Sequence, residues 1–126
     1  SGYRKSNWYQ NKIMETSMFN LFSKSNKIKS EAHRRAVGMW KTLTIYGIKE
    51  QVRSCHLCNK EVPKMQGYLF SNRHIMDNEK YMEQEIKKLE QRGVPSNEAQ
   101  EVVWQRLETI YDDWLICEEC LKKNFI

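Results

Sequence analysis

The chain has 126 residues, 40% of them hydrophobic and 29% charged, with a formal net charge of +5; this fits one small-cored domain carrying an arm or insertion. No run approaches the roughly 18 apolar residues of a membrane-spanning helix, and no charged segment leads into an apolar run at the N-terminus, so neither a membrane protein nor a signal peptide is expected. The charge is uneven: residues 1–54 carry eleven Lys/Arg against three Asp/Glu, or +8, and residues 55–126 carry ten against thirteen, or −3.

In chain order, Ile13, Met14, Met18, Leu21 and Phe22 fall at helical spacing and predict a helix near 8–23. The Ser-Lys-Ser-Asn run at 23–26 reads as a break. A second helix is expected from Ser25 or Ser30, because Ile28, Ala32, Ala36, Trp40 and Leu43 recur every three or four residues. Residues 42–48 turn β-branched and predict a strand. Residues 1–50 thus read as a basic helical region, and residues 51–126 as a second unit.

That unit opens on Cys55-His56-Leu57-Cys58, followed by Asn59, which tolerates the left-handed backbone of a tight turn. Gly67 to Phe70 reads as a short strand. Residues 77–111 predict a helical hairpin. Asp77 or Asn78 caps its first helix, Gly93 ends that helix near Arg92, and Val94-Pro95 makes the turn. Ser96 or Asn97 then opens a helix with Val103, Leu107, Ile110 and Trp114 as its stripe. Trp114-Leu115-Ile116 reads as a strand leading to Cys117-Glu118-Glu119-Cys120 and a short terminal helix.

The two Cys-x-x-Cys pairs contain every cysteine of the chain. Four thiolates in two such pairs are the ligand set of one closed, tetrahedral, structural zinc, so Cys55, Cys58, Cys117 and Cys120 are the expected metal ligands. His56, between two of them, reads as a surface residue of the turn. Paired cysteines without a secretion signal point to the cytoplasm or another reducing intracellular compartment. A thioredoxin-like dithiol would need a βαβ context, which the pattern lacks.

The order of a Cys pair in a turn, a strand, an insertion, a strand and a Cys pair opening a helix resembles the treble-clef group of zinc fingers. The resemblance covers Cys55 to Cys58, the strands near 67–70 and 114–117, and Cys117 to Cys120 with its helix; 58 residues separate the two pairs. It implies a mainly α fold with a small β-hairpin, a treble-clef-like zinc module interrupted at about 77–111, and a helical N-terminal arm.

Four cysteines leave a zinc ion no open position, so the leading expectation is a non-enzymatic binding or adaptor module whose partner docks on an exposed apolar face, with the 77–111 hairpin as its candidate site. A small-molecule substrate is not expected. The partner is a protein or a nucleic acid. For the latter, Lys24, Lys27, Lys29, Arg34, Arg35 and Lys41, with Arg4, Lys5 and Lys12 upstream, are the candidate phosphate contacts. A third reading follows from nucleases of the His-metal-finger type, which resemble a treble clef carrying a catalytic histidine. His74 is the candidate here, although Arg73 precedes it where that pattern has an acidic residue.

Overall fold

The structure is a computed structural model describing residues 18–126, with side chains from Lys24 onward. Most of the helix expected at 8–23 lies outside the described residues. Helix α1 spans Met18–Ile45 without interruption, so the expected break at 23–26 is absent. Ser and Asn cost a helix only a few tenths of a kcal/mol each, and Lys24 reaches across to Glu79 at 2.9 Å, giving this stretch a tertiary partner.

The strand expected at 42–48 is also absent. The hydroxyls of Thr42 and Thr44 donate to the carbonyls of Gly38 and Trp40 at 2.9 and 3.0 Å, an accommodation that lets threonine sit within a helix. The helix then stops at Gly47, whose φ of 78° suits glycine. The Gly47 N–H donates to the Thr44 carbonyl at 3.0 Å and the Ile48 N–H to Leu43 at 2.9 Å, the paired bonds of a Schellman ending.

The apolar stripe of α1 is as expected. Ala32, Ala36 and Trp40 are fully buried, and Ile28 and Leu43 pack beside them. The two alanines let the helix lie close on the strand at residues 68–70. His33 Nδ1 lies 3.1 Å from the Gly67 carbonyl, Arg35 Nε donates to Leu69 at 3.0 Å, and Trp40 Nε1 donates to Gln66 at 2.9 Å.

Strands β1 (Val52–Ser54) and β2 (Glu61–Pro63) form an antiparallel hairpin with Arg53 opposite Val62. Strand β3 (Tyr68–Phe70) leads into a short helix α2 (Asn72–Met76), then α3 (Glu79–Gln91) and α4 (Ser96–Glu108). Strand β4 (Trp114–Ile116) returns antiparallel to β3, pairing Phe70 with Trp114 and Tyr68 with Ile116, and α5 (Glu118–Asn124) follows. The described chain is therefore mainly helical with two small two-stranded sheets.

Every residue of β3 and β4 is buried. An aromatic layer covers them: Phe125 stacks on Phe70 at 4.4 Å and on Tyr81 at 5.3 Å, and Tyr81 meets Trp114 edge-on at 6.0 Å. Gly67, with φ at 90°, sits where the two sheets meet. A Cβ there would lie 2.7 Å from Val62 Cγ1 and 2.9 Å from Leu115 Cδ1.

The helical hairpin forms as the residues predict. Asn78 caps α3, and Gly93 (φ 92°) closes it with a second Schellman pair, Gly93 N–H to Glu90 and Val94 N–H to Leu89. The start of α4 has no side-chain cap, because its N-cap is Pro95; the Ser96 hydroxyl donates to the Glu90 carboxylate across the turn. Helix α2 has no counterpart in the sequence reading. It starts with a capping box in which Ser71 and His74 bond each other's N–H groups.

Candidate metal centre

The four cysteines come from two strand ends. Cys55 follows β1 and Cys58 lies in the turn to β2; Cys117 follows β4 and opens α5, and Cys120 sits in that helix's first turn. Asn59 adopts the left-handed backbone with φ at 61°, as its residue type suggested. The Asn59 N–H donates to the Cys55 carbonyl at 2.9 Å, and the Cys55 N–H donates to Lys60 at 2.8 Å, which fixes the turn. The His56 N–H donates to the Leu115 carbonyl at 2.8 Å and joins this turn to the strand that carries the second pair.

All four sulfurs lie within 4.8 Å of one another, with Cys58 Sγ 3.6 Å from Cys117 Sγ. A tetrahedron with metal–sulfur bonds of about 2.3 Å has edges of about 3.8 Å, so the set fits one such ion. Cys55, Cys117 and Cys120 are buried and Cys58 is exposed. The Cys117 N–H donates to Cys55 Sγ at 3.4 Å, a bond between the two pairs.

The thiols differ in acidity. Burial raises Cys55, but the N–H groups of Cys117, Cys58 and Leu57 outweigh it and bring the thiol down to about 7. Burial pushes Cys117 and Cys120 up, and hydrogen bonds with the Cys58 and Cys55 thiols add to this. A divalent cation reverses that direction, since coordinating thiols are deprotonated outright.

Charged residues ring the cluster. Lys60 pairs with Glu119 at 3.1 Å, and Glu118 receives Lys29 at 3.0 Å, Lys122 at 3.7 Å and the Tyr68 hydroxyl at 2.7 Å. Burial and the Glu118 carboxylate push the Tyr68 phenol up to about 12. Arg53 is turned toward Glu50 at 3.2 Å. The contribution of Lys29 and Tyr68 to this ring left no trace in residue spacing, because both come from distant segments.

Neither histidine near a motif joins the sulfurs. The His56 ring stacks on Trp114 with centroids 4.2 Å apart, and burial lowers its pKa. His74 Nδ1 accepts the Ser71 N–H at 3.2 Å and lies 2.8 Å from the Ser71 hydroxyl. Partial desolvation and the nearby Arg35 charge lower its pKa.

The six candidate phosphate contacts divide. Lys24 binds Glu79, Lys29 binds Glu118, and Arg35 donates to the Leu69 carbonyl while its guanidinium lies 5.9 Å from the Phe70 ring centre. Lys27, Arg34 and Lys41 are exposed and have no ion pair or hydrogen bond among the described residues. Arg4, Lys5 and Lys12 lie outside the described residues.

No family model, curated protein or solved structure matches the chain. Among the described residues, no helix is long and apolar enough to cross a membrane.

Proposed function

We propose that this chain is a non-enzymatic, zinc-stabilised binding module. In this reading Cys55, Cys58, Cys117 and Cys120 hold one structural zinc in a treble-clef-like arrangement, residues 51–126 form the metal module, and helix α1 braces it. The observation that carries the reading is the convergence of four sulfurs within 4.8 Å from two segments far apart in sequence. Four thiolates complete a tetrahedron and leave no position for a substrate or water, which favours a structural over a catalytic ion.

The binding role is supported by large apolar side chains left at the surface. Ile45 and Tyr46 are 80% and 78% exposed, and Ile48 and Val52 follow them closely in the chain. This set lies at the end of α1 and the start of β1. The 77–111 hairpin contributes Val102 and Tyr111. Single exposed apolar residues are ordinary, whereas several exposed within one short stretch of chain favour a contact surface.

The test is elemental analysis combined with chelation. The purified chain is expected to carry about one zinc and to lose its helical circular dichroism when a strong chelator removes the metal. A metal-free chain that keeps its full cooperative unfolding transition would overturn the reading.

A further inference from the structure

We propose that the solvent edge of α1 binds the phosphate backbone of duplex nucleic acid through Lys27, Arg34 and Lys41, without regard to sequence. The inference rests on the binding-module reading, in which the metal-held core positions α1, and it names the partner class for a surface separate from the cysteines.

The spacing makes these three residues a row. They stand seven residues apart, and at 3.6 residues per turn each step drifts only about 20° around the helix while rising about 10.5 Å. The row is therefore nearly straight and about 21 Å long. Arg34 and the fully buried Ala36 are about 200° apart, so the row faces away from the core. Of the other three cations, Lys29 lies nearly in line with Ala36 and Lys24 and Arg35 stand to one side of that line, and each of them reaches an internal partner.

The row carries little that would oppose a polyanion. Glu31, the one acidic residue of α1, stands one turn from both Lys27 and Arg34 at the inner border of the row; it is half-buried, and its charge acts on Arg35 and His74. Between the cations stand Ser30 and Gly38, both exposed and small, and a Cβ at Gly38 would meet nothing within 4 Å. Small residues between long cationic side chains let a phosphate chain approach the helix.

The composition of the edge also decides among anionic partners. A protein interface needs an apolar or aromatic anchor at its centre, and the row has none between Lys27 and Lys41. A membrane surface needs apolar side chains inserted along the helix, and Ile45 stands only at the far end. Single strands are held by aromatic stacking along the bound strand, but Trp40 is buried with its Nε1 on the Gln66 carbonyl, and the exposed Tyr46 lies beyond the end of the helix and off the row. Duplex nucleic acid needs none of these. It presents one charge per about 1.7 Å of axis and binds through release of counterions.

The test uses the zinc-loaded full chain and fluorescence anisotropy with DNA and RNA duplexes of equal length, the matching single strands, and vesicles containing phosphatidylserine. Duplex binding indifferent to sequence is expected. Its plot of log affinity against log salt should lose about 2.7 in slope in the triple variant Lys27→Gln, Arg34→Gln, Lys41→Gln. That variant should bind at least about tenfold more weakly at moderate salt, with zinc content and circular dichroism unchanged. Lys29→Gln should stay within about twofold of the parent. The DNA and RNA arms show which duplex is preferred, and either supports the proposal. Equal affinity of parent and triple variant, tighter binding to single strands, or binding to vesicles alone would overturn it. A zinc-free chain would instead overturn the module reading.

Discussion

Asn78 holds Phe125 in place: its Nδ2 donates to the Phe125 carbonyl at 3.0 Å while its Oδ1 accepts the Tyr81 N–H at 2.9 Å. One buried side chain thus caps α3 and ties the helical insertion to the end of α5. Lys80 and Gln84 extend the link by donating to the carbonyls of Lys122 and Lys123, both at 2.9 Å. Asn78→Ala removes a cap worth about 1 kcal/mol and strands a carbonyl at a further 1 kcal/mol or so. Urea unfolding of the zinc-loaded protein should show a loss of about 2 kcal/mol. Asn78→Ser should recover roughly half of it, since the shorter side chain still caps but does not reach Phe125.

Two glycines should respond to alanine with opposite signs. Gly67 combines a positive φ with neighbours 2.7 and 2.9 Å from a Cβ, so Gly67→Ala should destabilise by about 2 kcal/mol or more. Gly38 lies within α1 with open space around it, and Gly38→Ala should stabilise by about 0.5–1 kcal/mol. Equal effects in thermal melts of the two variants would contradict this placement of the backbone.

The capping box of α2 should make stability depend on pH. His74 caps in its neutral form, and its folded pKa is lowered, first by desolvation and then by Arg35, against opposing contributions from Asp113, Asp77 and Glu31. A group with a lowered basic pKa contributes stability that is present above its unfolded value, near 6.5, and is lost as pH falls through the folded value. His74→Gln keeps a capping side chain that does not titrate. The stability of the parent relative to this variant should therefore fall between pH 7.5 and pH 5. Using the difference removes the pH dependence of the thiols, which both proteins share.

Cobalt(II) substitution separates a four-sulfur set from one that includes His56. The intense visible bands of a tetrahedral thiolate complex are expected. They should be unchanged in His56→Ala, because that ring lies on Trp114 and not among the sulfurs. Cys58→Ser should alter the spectrum and weaken metal binding despite the exposure of Cys58.

The residues were informative where local chemistry decides the outcome. Asn59 announced a left-handed turn, Gly93 ended α3, and the spacing of Ala32, Ala36 and Trp40 marked the buried side of α1. The four cysteines announced their own convergence. Readings failed where distant partners decide. Ser23 to Asn26 looks like a break until Lys24 meets Glu79, and Thr42 and Thr44 look like strand until their hydroxyls bond back along the helix. The division of the six basic residues into engaged and free sets was equally hidden, because Glu79, Glu118 and the Leu69 carbonyl come from elsewhere in the chain.

The register of Phe70 opposite Trp114 changes the entropy of bringing the two cysteine pairs together. As open chain, the 58 residues between Cys58 and Cys117 form a long loop that the metal alone has to close. Once α2, α3 and α4 have folded, residues 71 and 113 are side by side, and the loose chain shrinks to the stretch from Cys58 to Tyr68. Shortening a loop by that ratio lowers its closure entropy by about 1.5 kcal/mol. The insertion is then a splint that shortens the loop closed when the two halves of the site meet on the metal.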